Sequence, residues 1–325
     1  ERLVGFLSWP QAGGIDPTGL MGVVLPFLFG VMVGDVGYGL ALMGLAWLLR
    51  RRLQARQPAI ADIARVILAG GVWSVLFGVL FGEFLGSLGN TLGMPALWFY
   101  RGGPDALEPL LMFALAVGAV HISLGVMIGL VSAIRHRNRN HTLERAGTLL
   151  FLAGLFTVAA VAASALPAGL VSPAVAMLVA GIVLVGWQHG PLGLLLGPLE
   201  TLGTIGNILS YLRLAAVGLA SVYLANVANE LAAAAPLLLG IVIATFFHGL
   251  NLVLAAFSPM VQSLRLHYVE FFSKFYESGG EPFSPLGAGL NGPAGTHPAM
   301  VPPPESQQWA ARAPAPREAA TMSTR

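Results

Sequence analysis

The sequence predicts an all-α membrane protein of eight transmembrane helices, the last two long and strongly tilted. Three observations lead there. Hydrophobic residues make up 56% of the 325 residues and charged ones 10%, with a mean hydropathy of +0.76, far more apolar surface than a water-soluble fold can hide. Apolar runs of membrane-spanning length recur at residues 19–49, 63–90, 108–134, 146–166, 173–196, 201–229 and 237–274. Basic residues outside these runs gather in two connections, Arg50 to Arg56 and Arg135 to Arg145.

The first run is long enough to be two short helices bent at Gly34-Asp35-Val36-Gly37, which turns seven runs into eight crossings. Both basic connections then fall on the cytoplasmic side by the positive-inside rule. Residues 189–200 and the C-terminus follow them there, and the loops at 93–107, 167–172 and 230–236 hold Arg101 as their one basic residue. The last two runs, about 30 and 40 residues, make helices of roughly 45 and 60 Å against a hydrocarbon core of roughly 30 Å. They must tilt or protrude. Pro259 lies inside the last run, where it removes a backbone donor without ending the helix, since the apolar pattern resumes at Val261.

The organisation read from these signals is a connector at 1–18, a transmembrane helical domain at 19–277, and a flexible tail at 278–325 rich in Pro, Ala and Gly. The chain starts at Glu1 and shows no signal peptide, so a preceding domain is expected. With no cysteine and seven scattered histidines, disulfides, thiolate zinc and an HExxH motif are excluded. The glycines of FGVMVGDVGYG and FGVLFGEFLG follow no strand and read as close helix packing rather than a dinucleotide loop. No cofactor or metal is expected, and a net charge of +2 points to no nucleic acid.

Chemistry concentrates in a few polar residues inside the apolar runs. Arg213 and Arg265 lie deep in the last two, where a guanidinium costs at least ~2.5–3.5 kcal/mol on insertion scales. They sit about a dozen residues in from Glu200 and Glu277, hence at a similar depth of roughly 20 Å. The helical face of Arg213 holds Leu202, Gly206, Leu209, Val217, Ala220 and Leu224, with no acid. Arg265 closes a polar stripe of His248, Asn251, Ser258 and Gln262. A structural alternative pairs each arginine with Asp35 or Glu83 inside the bundle.

The remaining polar groups divide by depth. Asp35, Glu83, His121, His248 and Asn251 fall toward the outer face; Glu200, Asn207, Glu270 and Glu277 fall toward the cytoplasm, with His267 and Lys274 as interface residues. Two offset half-channels meeting at the arginines would pass protons to a mobile carboxylate without a continuous leak. A proton-coupled secondary transporter is the competing class, but no internal repeat supports it; a plain membrane anchor gives no reason for two arginines at one depth.

The segments PFLFGVMVGDVGYGL, NILSYLRLAAVGLA and SLRLHYVEFFSKFYESGG resemble the stator subunit a or I of V/A-type rotary ATPases, over residues 15–280. The resemblance implies that the last two helices press against a rotor ring of proteolipid subunits, and that an N-terminal cytosolic domain contacts the peripheral stalks. It also implies that Arg213 meets the rotor carboxylate with Arg265 and Gln262 beside it, and that Glu200 belongs to the cytoplasmic half-channel. Such a subunit catalyses no covalent chemistry by itself. Short connections fit a bacterial form in a plasma membrane.

Overall fold

The computed structural model describes residues 9–10, 18–53, 58–187, 189–276 and 278–280. Of the expected connector and tail, all but Trp9–Pro10, Thr18 and Ser278–Gly280 lie outside the described residues, as does Glu277. The described chain is a helical bundle: α1 Thr18–Val33, α2 Val36–Leu53, α3 Pro58–Phe81, the single turn α4 Leu88–Thr91, α5 Leu107–Arg135, α6 Arg139–Ala162, α7 Val171–Trp187, α8 Gly193–Leu209, α9 Leu212–Ala234 and α10 Leu237–Arg265. A two-residue strand, β1 Trp9–Pro10, pairs antiparallel with β2 Ser278–Gly280.

Six helical segments among the described residues are long and apolar enough to cross a membrane: 62–81, 107–135, 139–162, 168–187, 195–234 and 237–274. The chain is a multi-pass membrane protein. The first run does break where the sequence predicts: α1 stops at Val33, Gly34 takes φ +47°, and α2 starts at Val36. Each half is shorter than the six spans, α1 at 16 residues and α2 at 18 with three arginines in its last turn.

Asp35 explains the break. Its side chain accepts the Tyr38 N–H at 2.9 Å, capping the new helix, and also the N–H groups of Leu85 (3.0 Å) and Gly86 (2.8 Å). One buried carboxylate thus fastens the α1–α2 corner to the loop after α3. The glycines permit this closeness, since a Cβ on Gly78 would run into the Asp35–Val36 backbone.

The last two spans are long, as expected. α8 and α9 form one 40-residue span interrupted only at Ser210-Tyr211. There the Ser210 hydroxyl donates back to the Gly206 carbonyl at 3.1 Å, an arrangement that bends helices. α10 runs through Pro259 and continues into a π-helical turn, Leu266–Phe271, and a short 3-10 turn to Lys274. α9 and α10 are an antiparallel hairpin turning at Ala235-Pro236.

The packing gives the bundle two ends. Met21 and Leu25 at the start of α1 pack on Phe271 and Phe272, while Val33 at its close shares a core with Ala255. Leu42 of α2 shares that core as well, so α2 runs alongside α10 and carries Arg50, Arg51 and Arg52 to the end that holds Lys274. Gly129 of α5 also abuts Lys274. Arg50–Arg52 and the connection from Arg135 to Arg145 therefore lie at one end of the bundle, opposite the α9–α10 turn.

Candidate functional site

Arg213 stands just past the Ser210-Tyr211 interruption, with its side chain 22% exposed. Its acid is neither Asp35 nor Glu83. Nη1 lies 3.5 Å from Oε1 of Glu270, which the π-helical turn after Arg265 rotates inward and buries. Of the face read from the sequence as apolar, Leu202, Gly206, Leu209 and Ala220 are exposed, while Val217 and Leu224 are half-buried.

Arg265 is exposed and makes no side-chain hydrogen bond or ion pair among the described residues. On α10 it continues an exposed row that includes Phe246, Val253, Phe257 and Val261. Both arginines therefore border an open apolar face rather than the bundle interior. In a membrane such a face meets lipid or another helix. Gln262 is partly buried, with its Oε1 unmatched by any described residue.

On the turn side of the arginines, α1, α9 and α10 enclose a partly open cleft of about 380 Å³. Its polar lining is Ser221, Asn251 and Ser258, among Met32, Ala220 and Leu254. Asn251 is buried and donates to the Ser221 carbonyl at 2.9 Å. Three residues nearer the turn, His248 bridges the Tyr38 hydroxyl (2.7 Å) and Asn229 Oδ1 (3.0 Å). Of the predicted stripe, His248, Asn251 and Ser258 thus stay together.

Glu83 lies at that end but meets a partner the sequence did not suggest. Arg101 folds back from its loop and is 1% exposed, its Nη2 2.6 Å from Glu83 Oε2 and its Nε 3.0 Å from Oε1. The same guanidinium donates to the carbonyls of Val31, Met32, Val33 and Gly34, and lies 4.6 Å over the Phe81 ring. These are the carbonyls that a helix terminus leaves open, so Arg101 caps α1 while neutralising Glu83. The structural alternative, pairing Arg213 or Arg265 with Asp35 or Glu83, does not hold, because both carboxylates are occupied within this corner. The one sequence signal for Arg101 was its position behind the aromatic run Trp98-Phe99-Tyr100.

His121 has neighbours that its place in the sequence did not suggest. Expected with the outer set, it sits with the residues toward the basic end: Nδ1 is 2.6 Å from the Tyr211 hydroxyl, its ring stacks on Phe271 at 4.0 Å, and His267 is 5.1 Å away. Gly118, one turn earlier on α5, lets Tyr211 in, so the helix that carries His121 is drawn against α9 and the π turn. His267, read as an interface residue, is fully buried. His121 Nε2, Ser263 Oγ, His267 Nε2 and Glu270 Oε2 are buried with no partner among the described residues. Further toward the basic end, Glu200 is 46% exposed, 3.7 Å from His189, and Asn207 is partly exposed. Among the described residues no cluster has the make-up of a metal site.

Comparison with known proteins agrees with the resemblance. Residues 200–288, which include both arginines, match the V-type ATPase 116 kDa subunit family. The chain is 32% identical over 305 residues to A-type ATP synthase subunit I of Pyrococcus abyssi, covering 89% of this chain and 45% of that protein. To the subunit I of Halobacterium salinarum it is 30% identical over 370 residues (88% and 49%), and to that of Methanocaldococcus jannaschii 26% over 327 residues (89% and 47%). The chain spans about half the length of these curated relatives. With the SYLRL and SLRLHYVEFF helices inside the matched segment, the chain is similar over nearly nine-tenths of its length to about half of A-type ATP synthase subunit I, and in residues 200–288 to the V-type ATPase 116 kDa subunit family.

Proposed function

We propose that this chain is the ion-conducting part of the stator in a rotary V/A-type ATPase or ATP synthase, and that it performs no covalent catalysis itself. One observation carries the reading: Arg213 and Arg265 border an open apolar face, with a polar-lined cleft on one side of them and a buried group of unmatched polar atoms on the other. An anchor has no use for that arrangement. A stator that hands ions to a carboxylate on a passing helix needs all of it.

In this reading the open face of α8, α9 and α10 receives the proteolipid rotor ring. Arg213, with Arg265 and Gln262 beside it, attracts the ring carboxylate in its ionised form and blocks direct passage between the two sides. The cleft with Asn251 and His248 is the outer half-channel. Glu270, His267 and His121, with Glu200 and Asn207 beyond them, form the cytoplasmic one, where buried polar atoms of this kind are ordinarily met by internal water. Asp35 and Glu83 shape the outer wall, since their oxygens are taken by backbone donors and by Arg101. The basic end faces the cytoplasm, α1 and α2 complete eight crossings, and a preceding domain meets the peripheral stalks in a prokaryotic plasma membrane.

The test is ATP-driven ion uptake by proteoliposomes containing the whole complex with Arg213→Ala, at assembly equal to wild type. Pumping should be lost while the complex stays intact. Pumping near the wild-type rate would make Arg213 a packing residue and refute the mechanism.

A further inference from the structure

At the basic end, away from the arginines of the ion path, α5, α6 and the turn after α10 enclose a second cavity, of about 590 Å³. Its lining includes His136, His141, Arg145 and Lys274, with Tyr276 and Ser132. Lys274 is the only lysine in the chain, and its ammonium makes no hydrogen bond or ion pair among the described residues. Of the acids near it, Glu144 is shared, its Oε2 3.0 Å from His141 Nδ1 and its Oε1 3.7 Å from Arg145 Nη2, and Glu200 also acts on Lys274. No acid is among the described residues that line the cavity, whose fixed cations are Arg145 and Lys274, and Arg145 is only 21% exposed. Partly desolvated like charges held together this way call for an anion.

Position identifies the chemistry. The cavity lies where three membrane-crossing segments end, at Arg135, Arg139 and Lys274. Ala133 and Phe275 add apolar surface to its lining. A basic pocket between helices at that level, with apolar side chains beside it, fits a phosphate whose remaining bulk is hydrocarbon. Gly129 keeps the cavity open toward α10, since a Cβ there would strike the Lys274 carbonyl and approach Arg145 Nε at 3.5 Å.

We propose that this cavity binds the phosphate headgroup of one anionic phospholipid, held by Arg145 and Lys274, which ties α5 and α6 to the end of the ion-path helix. The complex would be delipidated, reconstituted with phosphatidylglycerol or with phosphatidylcholine, and bound lipid counted by native mass spectrometry. Wild type should retain phosphatidylglycerol about twenty-fivefold more tightly than the Arg145→Gln, Lys274→Gln double variant, each basic side chain contributing about fivefold. Phosphatidylcholine should show no difference, and millimolar inorganic phosphate should not displace the lipid. Lys274→Arg, which keeps the charge, should bind as wild type and serves as the folding control. Equal retention by the double variant and Lys274→Arg overturns the proposal, and competition by inorganic phosphate alone reassigns the cavity to a soluble anion and overturns the lipid.

Discussion

Replacing Arg101 with methionine isolates the energetics of the corner where α1 meets α2. The substitution keeps much of the apolar stem and removes the guanidinium from Glu83 and from four carbonyls at the end of α1. Glu83 and Arg101 are 0% and 1% exposed, so the carboxylate left behind is a buried, uncompensated charge, for which losing one partner costs about 3–5 kcal/mol. The freed carbonyls add to this, but contributions of single hydrogen bonds inside membranes are small, on the order of 0.6 kcal/mol, and do not sum independently with the ion pair. A total of about 4 kcal/mol is a large part of the ~5–15 kcal/mol that holds a folded domain together. Reversible unfolding of the purified protein in mixed detergent micelles measures it. Glu83→Leu on its own strands Arg101 and should cost a similar amount, whereas the double variant should cost less than the sum by at least about 2 kcal/mol. A loss under about 1 kcal/mol for Arg101→Met, or additive single and double variants, would refute the account of Arg101 as both cap and counter-ion.

Two further outcomes follow from the geometry. Because the chain has no cysteine of its own, Ser258→Cys in the cleft and Ser263→Cys near His267 can be probed in the assembled complex with a membrane-impermeant maleimide. The first should react from the outer side alone and the second from the cytoplasmic side alone; labelling of both from one side contradicts two offset half-channels. Glu270→Gln removes the charge 3.5 Å from Arg213 and keeps most of the shape. Because the arginine is partly solvated, stability should fall by no more than about 1–2 kcal/mol, while ion uptake by proteoliposomes drops tenfold or more. Unchanged uptake at normal assembly would leave Glu270 as a packing residue.

The membrane class, the long final helices, the break at Gly34-Asp35 and the family resemblance were all legible in the linear sequence. Hydropathy, helix punctuation and the SYLRL and SLRLHYVEFF segments depend on neighbours a few residues apart, and local patterns record such neighbours directly. Charge partners were not legible. Glu83 and Arg101 are 18 residues apart across a loop, and Arg213 and Glu270 are 57 apart. A helical wheel of the Arg213 helix holds no trace of an acid delivered by a π turn on another helix.

The neighbours of His121 were not legible either. It lies near the middle of α5, where counting residues does not decide what it meets. What decides it is the packing of Gly118 against Tyr211, which draws α5 toward the π turn and closes His121, His267 and Phe271 into one cluster. The sequence by itself determined which side chains are too polar for the bilayer, because transfer cost is a property of the residue. Only the tertiary structure decided which of them are satisfied in place, Asp35 by backbone N–H groups and Glu83 and Arg101 by each other, and which border an open face or a buried polar group, because that depends on what each residue meets across the bundle.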